Sequence, residues 1–274
     1  MAVAQGVGIQ GAGYTREVLD KIRSVLENEH GMRDVVIRPM GASAARLSIP
    51  IRIYYADASG ERMRAFGKIM GSTEPFLERS MQLAKNLYLQ TVAMAPIFGH
   101  GETARDMAEH QYRIMSAIHG CGVPTARPLG CHELGGGLHL LVAEFLEAVP
   151  ITEAGAGPEV VEEAFSHLGR MHEKGIFHGD IKPENILVGD RVYILDVGRF
   201  RDDAPEWTKR AYDLACMICS FLGSAPPEQI CGAAARHFSA AQLRACASYL
   251  DLVSHRPDIR CTAETKARLL ELLA

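Results

Sequence analysis

Three polar residues in the stretch from His178 to Gly198 are spaced so that they could act together on one ligand. The stretch reads HGDIKPENILVGDRVYILDVG and places Asp180, Asn185 and Asp196 around two short apolar runs joined by a Gly-Asp turn. Such a pattern predicts a strand-turn-strand hairpin, whose two ends meet in space. A carboxylate can act as a general base, and carboxylate and amide oxygens are ligands that Mg²⁺ prefers. The spacing therefore predicts a site for a magnesium-bound nucleotide.

The composition of the chain limits the class of protein. It has 274 residues, 47% of them hydrophobic, which is enough to bury one long domain or two lobes. The net charge of −4 does not indicate nucleic acid or an anionic membrane surface as a partner. Seven scattered cysteines and an opening stretch without a hydrophobic secretory segment favour reduced thiols and a cytoplasmic protein.

Cys216 and Cys219 form a lone CxxC within the apolar run LACMICSFL. Because no second pair follows at the spacing of a metal site, we interpret these thiols as core residues rather than as metal ligands or a redox pair. The run is also far shorter than the roughly 20 residues that a membrane-spanning helix requires. No membrane span is therefore predicted.

The first half of the chain is predicted to form a helix and then a strand-rich lobe. Residues 14–29 carry apolar side chains at helical spacing. The stretch 47–53 alternates Leu and Ile with other residues, which is typical of a half-buried strand, and Pro50 within it predicts a position at a sheet edge. A third strand carries Lys68. Two helical segments, at about 74–95 and 102–119, and the buried strand GLHLLVAEFLE follow it.

The second half of the chain is predicted to be mostly helical. A helix with Val161, Phe165 and Leu168 on one face precedes the hairpin. Further helices are predicted after the hairpin at about 207–222, 226–237, 239–254 and 262–273. A strand-rich lobe followed by a helical lobe is typical of an α+β fold, with the polar hairpin near the junction of the two lobes.

These motifs resemble the signatures of the protein-kinase-like superfamily, and the resemblance extends from about Val35 to Gly223. Asp-Val-Gly at 196–198 is similar to the metal-binding DFG motif, and the catalytic loop is matched by His178, Gly179, Asp180, Lys182 and Asn185. The resemblance implies a bilobal α+β fold with an antiparallel-sheet N-lobe and a mostly helical C-lobe. The implied domains are an N-terminal helical extension at 1–33, an N-lobe with an inserted helix at 34–146 and a C-lobe at 147–274.

The resemblance implies a chemical role for four residues of the hairpin. Asp180 would accept or orient the proton of an attacking hydroxyl, and Lys182 would stabilise the charge on the transferred phosphoryl group. Asn185 and Asp196 would bind Mg²⁺ through hard oxygen ligands. ATP and Mg²⁺ are therefore the implied cofactors.

Two further residues are implied to support the catalytic loop rather than to react. His178 would pack behind the loop. Asp213, in the run RAYDLA, resembles the buried aspartate that braces the loop from below. A buried carboxylate without a partner would be costly, so its place before an apolar run predicts a hydrogen-bonding partner.

Lys68 resembles the lysine that holds the phosphates of the nucleotide, and Glu109 is the candidate for the glutamate that usually pairs with it. Glu74, Glu78 and Glu102 remain alternatives, because an additional helix is predicted between Lys68 and Glu109. Any one of these glutamates could instead lie on a solvated helix face, where glutamate is common.

Glu144 and Leu146 match the hinge whose backbone recognises adenine, with the small Ala143 behind the adenine pocket. Phe66 falls two residues before Lys68, where the superfamily usually has a small alanine. Either the pocket is reshaped or the register of this strand differs from that of the family.

The phosphate-binding loop departs from the usual pattern. The turn GASAA has a single glycine, Gly41, where protein kinases have G-x-G-x-x-G. Small residues still permit close approach of the backbone to a phosphate, and Ser43 could donate a hydrogen bond to it. An ordinary hairpin turn is the alternative interpretation.

The segment after Asp196 is short. Seventeen positions separate Asp196 from Asp213 (213 − 196), too few for the activation segment and APE motif of ordinary protein kinases. Gly179 also replaces the arginine that reads activation-loop phosphate in many of them, so regulation by loop phosphorylation is not expected. These features resemble the minimal branch of the superfamily, with its RIO-type atypical kinases, lipopolysaccharide kinases and aminoglycoside-type phosphotransferases, whereas Lys182 resembles the serine/threonine protein kinases.

The resemblance implies an ATP- and Mg²⁺-dependent phosphotransferase acting on a hydroxyl, most directly an atypical serine/threonine protein kinase. A kinase for a sugar, a lipopolysaccharide core or another small molecule is an alternative. A nucleotide-binding pseudokinase scaffold is a second alternative, which the weak phosphate loop favours and the complete catalytic set opposes. The implied partners are ATP and a hydroxyl-bearing protein or small molecule.

Overall fold

The structure, a computed structural model, describes residues 16–40, 48–71, 74–92, 94–101 and 103–274, and for 74–78 the backbone alone. Gly41, Ser43 and Glu102 lie outside the described residues, as do the side chains of Glu74 and Glu78. The nucleotide contacts expected of these residues therefore stay predictions.

A five-stranded antiparallel sheet forms the first lobe. Its strands are β1 Arg33–Pro39, β2 Ser48–Ala56, β3 Arg62–Met70, β4 Pro128–Gly135 and β5 Leu138–Glu144. They lie in the order β1, β2, β3, β5, β4. Strand β3, which carries Lys68, is therefore the central strand, between β2 and β5.

Two helices cover the opposite faces of this sheet. The amphipathic helix α1 (Arg16–His30) buries Leu26 in the apolar cluster of one face. Helix α3 (Ala104–Gly120) buries Ala108 in the cluster of the other face. Because apolar burial drives both contacts, the sheet is shielded from water on either side. Within the N-terminal extension, whose role the sequence leaves open, α1 thus covers one face of the sheet.

Pro50 lies in an interior strand, so the prediction of an edge strand from this proline is wrong. β2 has β1 on one side and β3 on the other. The Pro50 carbonyl accepts a hydrogen bond of 2.9 Å from the N–H of Met40, the residue directly after the end of β1 at Pro39. The nitrogen of Pro50 faces the same side as its carbonyl. The missing N–H therefore falls where the neighbouring strand ends, and proline is tolerated there.

The second lobe is mostly helical. A small antiparallel sheet at its top contains β6 Val149–Pro150, β7 Ile186–Val188 and β8 Val192–Ile194. The helices are α4 Ile151–Ala154, α5 Pro158–Glu173, α6 Glu206–Ser220, α7 Pro227–His237, α8 Ala240–Ala247, α9 Leu250–Ser254 and α10 Ala263–Leu273. The predicted α+β class, with an antiparallel-sheet N-lobe and a mostly helical C-lobe, is confirmed. None of the described helices has the length and apolar character needed to cross a membrane.

Helix α6 is the centre of the second lobe, and nearly its whole length is buried. Its CxxC cysteines, Cys216 and Cys219, are free thiols inside this core. Burial raises the pKa of Cys216 to about 12, which keeps the thiol protonated. The single helix predicted at 239–254 is two helices, because a turn at Ser248 and Tyr249 brings the Tyr249 ring against that of Tyr212, with centroids 6.1 Å apart.

The inserted segment of the first lobe reaches down to the second lobe. It consists of α2 (Glu74–Thr91) and of the strap, residues 94–101. The Asn86 side chain accepts from the backbone N–H groups of Ile97 and Phe98, at 3.1 and 3.0 Å, and so joins α2 to the strap. The Phe98 ring then stacks on Phe200, with centroids 6.1 Å apart.

We predict that Phe98→Ala lowers the free energy of unfolding by about 3–5 kcal/mol, because it removes a fully buried ring between two aromatic neighbours. Urea denaturation would measure the change. Leu87→Ala is the control, since Leu87 lies on α2 with 60% of its surface exposed and should change stability by less than about 0.5 kcal/mol. Equal midpoints for the two variants would show that the strap does not contribute to the core.

Candidate active site

The predicted hairpin is present as β7 and β8, and its two flanking loops are hydrogen-bonded to each other. The Leu195 N–H donates to the Asn185 carbonyl at 2.9 Å, and the Gly198 N–H donates to the His178 carbonyl at 2.8 Å. The segment before the hairpin and the segment after it therefore run side by side at the cleft between the lobes.

Gly179 and Gly198 allow these two segments to approach closely. Gly179 has a φ of +78°, a conformation that side chains disfavour. A Cβ atom on Gly198 would lie 2.9 Å from the carbonyl oxygen of Gly179, which is closer than real side chains come to a backbone. The backbone conformation thus favours glycine at position 179, independently of any relation to loop phosphorylation.

Asp213 lies directly beneath the catalytic loop. Its carboxylate is fully buried and accepts from the N–H groups of His178 and Gly179, at 2.7 and 2.8 Å. The turns of helix α6 around this residue are buried in the core. Asp213 is thus positioned to hold the backbone of the loop. The hydrogen-bonding partner that the sequence predicts for this carboxylate is present as two backbone N–H groups.

The His178 ring joins the loop to strand β8. Its Nδ1 accepts from the Asp180 N–H at 3.2 Å, so the proton is on Nε2, which donates to the Leu195 carbonyl at 2.9 Å. Burial lowers the pKa of His178, although the nearby Asp213 carboxylate opposes this shift. The ring is therefore neutral and serves as a spacer with two fixed hydrogen bonds.

Asp196 and Lys68 form an ion pair across the cleft. The Lys68 ammonium lies 2.8 Å from Oδ1 of Asp196, and thus links β3 of the first lobe to the loop of the second. Burial alone would raise the pKa of Asp196, but the charge and hydrogen bond of Lys68, together with the charge of Lys182, lower that pKa. The φ of Asp196 is +55°, a left-handed conformation that is uncommon for a residue with a side chain. Strain of this kind is found mainly at functional sites.

Asn185 lies between Asp180 and Asp196. Its amide nitrogen donates to the backbone carbonyls of these two residues, at 3.0 and 3.1 Å. With the nitrogen engaged, the amide oxygen is the group that remains for a cation. Asn185 and Asp196 together fit a Mg²⁺ site that phosphate oxygens and water would complete, since Mg²⁺ is commonly held by one or two protein oxygens.

The Asp180 carboxylate is held between two cations. Lys182 approaches Oδ2 at 3.3 Å, and Arg256 donates to Oδ1 at 2.9 Å. Burial would lower the pKa of Lys182, but the charges of Asp180 and Asp196 outweigh it and raise that pKa. The carboxylate is partly exposed, so a small acceptor group can reach it.

The predicted ion pair between Lys68 and Glu109 is not formed in this structure. Glu109 contacts Arg105, one turn earlier on α3, at 2.7 Å. The buried face of α3 is built around Ala108, and Glu109 is turned away from it, with about half of its side chain exposed. The next residue, His110, reaches the site instead, and its Nε2 lies 2.9 Å from the Gly198 carbonyl.

The predicted adenine side of the cleft is lined by apolar side chains. Phe66, Leu146 and Leu195 pack in one cluster with the fully buried Ala143. In the pairing of β3 with β5, Phe66 lies opposite Ala143. Phe66 and Lys68 therefore point to the same face of the sheet, as alternation requires. The register of β3 is thus the one expected from the sequence, and a reshaped pocket stays the prediction for Phe66.

Glu144, which is predicted to be a hinge residue, ends β5 and exposes its side chain. Its backbone N–H donates to the Arg127 carbonyl at 2.9 Å. This hydrogen bond occupies the N–H of Glu144, where the connection between the lobes begins. Contact with an adenine would therefore involve other backbone groups of this connection.

Sequence reasoning missed three residues near the site: Arg256, His110 and Lys85. Lys85, from α2, lies over the Phe98 ring at 5.0 Å. Burial lowers the pKa of Lys85, while the Asp180 carboxylate opposes this shift. All three lie outside the motifs. Lys85 and His110 are on helices, whose apolar patterns could have indicated that they face the cleft, whereas Arg256 follows α9 and had no such signal.

Comparison with known proteins gives partial matches. No protein-family model matches the chain. A probable bifunctional tRNA threonylcarbamoyladenosine biosynthesis protein of Methanosarcina acetivorans is 34% identical over 95 residues, which cover 34% of this chain and 16% of that protein. The protein of the same name from Methanothermobacter thermautotrophicus is 32% identical over 94 residues, covering 33% and 17%. The matched stretch thus spans about one-sixth of these curated relatives.

Solved structures match over most of the chain. A protein of Haemophilus somnus 129PT that is assigned as a fructosamine-3-kinase superposes with a TM-score of 0.52 and 11% identity, over 93% of this chain and 96% of that one. The PknI kinase domain of Mycobacterium tuberculosis gives a TM-score of 0.43 and 12% identity, over 89% and 97%. Together with the lobes and the order of strands and helices described above, the first of these shows that the chain has the fold of the protein-kinase-like superfamily.

We predict that Gly198→Ala lowers the free energy of unfolding by about 1–3 kcal/mol, because its methyl group would collide with the backbone of Gly179. Gly232→Ala is the matched control. Gly232 is exposed within α7 and has open space around it, so alanine should raise stability by about 0.5–1 kcal/mol. Urea denaturation would measure both, and a change of the same sign in the two variants would contradict the close approach.

We predict that His110→Gln weakens the dependence of stability on pH. Burial lowers the pKa of His110 in the folded protein below the ordinary value of 6.5. Its contribution to stability is therefore fully present above pH 6.5 and is lost as the pH falls through the lowered pKa. The slope of unfolding free energy against pH should fall by up to about 1.4 kcal/mol per pH unit.

Denaturation series between neutral and mildly acidic pH would measure this slope. His119→Gln is the control, since His119 is exposed near the end of the same helix. Equal slopes for the wild type and His110→Gln would contradict the prediction.

Proposed function

We propose that this protein is an ATP- and Mg²⁺-dependent phosphotransferase that transfers the γ-phosphate to a hydroxyl group. The observation that supports this most directly is the convergence of Lys68, Asp180, Lys182, Asn185 and Asp196 at the cleft between the lobes. Fold alone does not define function, so the proposal depends on this group of side chains.

Each side chain has a role that its contacts support. Asn185 and Asp196 would hold Mg²⁺, which supplies neutralisation of phosphate charge when it is bound. Lys68 is already next to Asp196 and is placed to hold the phosphates on the N-lobe side. Lys182 would stabilise the negative charge of the phosphoryl group during transfer.

Asp180 would orient the acceptor hydroxyl and receive its proton. The carboxylate lies beside two cations and remains partly exposed. A hydroxyl within hydrogen-bond reach of it would have its lone pair directed at the phosphoryl group, which is the arrangement that general-base catalysis requires.

The acceptor in this proposal is a serine or threonine hydroxyl of a protein. One observation favours a small-molecule acceptor as a second candidate. The strap is paired with the segment after Gly198: the Gly99 N–H donates to the Arg199 carbonyl at 2.9 Å, and the Arg201 N–H donates to the Ile97 carbonyl at 2.8 Å. Because these backbone groups are occupied, an extended peptide cannot pair with them.

The names of the curated relatives suggest a biological setting. Those proteins are described as acting in tRNA threonylcarbamoyladenosine biosynthesis, and this chain matches about one-sixth of their length. We therefore include tRNA-modification proteins among the acceptors to be tested.

The test is transfer from γ-labelled Mg·ATP to a cell extract that is afterwards separated into protein, small molecules and RNA. We expect label in the protein fraction. Asp180→Asn should lower the rate by about 10²- to 10⁴-fold, while the shift in melting temperature caused by Mg·ATP is retained. Asp190→Asn, in the exposed turn of the hairpin, is the matched control and should keep the wild-type rate.

Each fraction decides between the candidates. Label in small molecules alone would replace the protein acceptor by the second candidate. A melting-temperature shift with Mg·ATP but no transfer to any fraction would identify a pseudokinase scaffold. Equal rates for Asp180→Asn and wild type would overturn the assignment of the base.

A further inference from the structure

Arg256 makes a direct contact with the carboxylate that the proposed function uses as its base. Its Nη2 lies 2.9 Å from Oδ1 of Asp180, and the two residues are 76 positions apart in the chain. We propose that Arg256 is a positioning residue, which fixes the orientation of the Asp180 carboxylate toward the acceptor. This inference rests on the proposed function, because it assigns a role within the same reaction.

The guanidinium of Arg256 is itself held in place. Its Nε and Nη2 donate to the two oxygens of Asp258, at 3.1 and 2.6 Å, in the bidentate geometry that arginine favours. Its Nη1 donates to the Tyr212 hydroxyl at 3.2 Å. With only 9% of its side chain exposed, Arg256 has little freedom to leave Asp180.

Asp258 keeps the charge of this arrangement balanced. Burial would raise the pKa of Asp258, but the hydrogen bonds with Arg256 and the positive charges of Arg256 and Lys182 together lower that pKa. Since Asp258 is ionised, it offsets the charge of Arg256. Arg256 therefore reaches Asp180 as part of a pair with Asp258 rather than as an isolated cation.

The two oxygens of Asp180 have different partners, and this defines the orientation of the carboxylate. Arg256 donates to Oδ1, while the ammonium of Lys182 lies 3.3 Å from Oδ2. Lys182 is on the catalytic loop itself and would also face the transferred phosphate. Arg256 comes from the segment after α9, so it is the contact that ties the base to the rigid helical core.

Arginine is required here, because a lysine has a single ammonium. It cannot form the bidentate pair with Asp258 and also reach Asp180 in a fixed direction. Loss of the orientation of the Asp180 carboxylate should lower the reaction rate more than the affinity for ATP. Small misplacements of reacting groups cost up to about 100-fold in rate.

The test compares Arg256→Ala, Arg256→Lys and the control Arg260→Ala in the steady-state consumption of Mg·ATP. Arg260 is exposed on the same segment. For Arg256→Ala we expect kcat to fall about 10- to 100-fold, with the KM for ATP and the Mg·ATP melting shift unchanged. Free guanidinium ion, below denaturing concentrations, should restore part of the lost kcat, whereas the same concentration of sodium should not.

Arg256→Lys keeps the positive charge at this position and replaces the alanine variant in the test if that variant does not fold. It should show a smaller fall in kcat, again without a change in the KM for ATP. A wild-type kcat in either folded variant would overturn the proposal. So would a fall in kcat accompanied by loss of the Mg·ATP melting shift and no rescue by guanidinium, since that pattern indicates general disruption.

The failure of this inference can be distinguished from failure of the proposed function. If the wild-type protein does not consume ATP or transfer phosphate, the proposed function fails whatever the variants do. If the wild type is active and Arg256→Ala is equally active, only the role of Arg256 fails.

Discussion

The backbone at Gly179 passes the backbone at Gly198 so closely that neither residue can carry a side chain without a shift. Asp213 holds the first of these segments from below, through bonds from buried amides. Asp180 follows Gly179, and Asp196 precedes Gly198 by two residues, so this approach sets the separation of the proposed base and the proposed metal ligand. The Asn185 hydrogen bonds depend on it, because they reach the Asp180 carbonyl on one segment and the Asp196 carbonyl on the other.

A second constraint comes from segments that lie outside the motifs. The strap places Phe98 against Phe200 and pairs with the short segment after Gly198. Helix α2 is also attached to the second lobe, where the Tyr88 hydroxyl donates to Asp251 of α9. The same helical region supplies Arg256 to Asp180. The segment that would carry an activation switch in a larger kinase is therefore already held by backbone hydrogen bonds.

Local patterns predicted much of this arrangement, and their failures have physical causes. The hairpin follows from apolar runs and a Gly-Asp turn, which act over a few residues. Pro50 misled the strand order because a proline can occupy an interior strand where the neighbouring strand has ended. Glu109 was chosen by its spacing from Lys68, but the orientation of a helix depends on which face is buried. Here burial of Ala108 turns Glu109 toward Arg105 and brings His110 to the loop.

The sequence by itself determined the types and order of the groups: the carboxylates, the amide and the lysines of the motifs, and the α+β class of the fold. Those features depend on short-range periodicity, turn chemistry and side-chain chemistry, which can be read along the chain. Only the tertiary structure decided which charges meet. Lys68 meets Asp196 and Arg256 meets Asp180 because the lobes and the helical core pack together, and the partners are 128 and 76 residues apart. No local pattern encodes contacts over such separations.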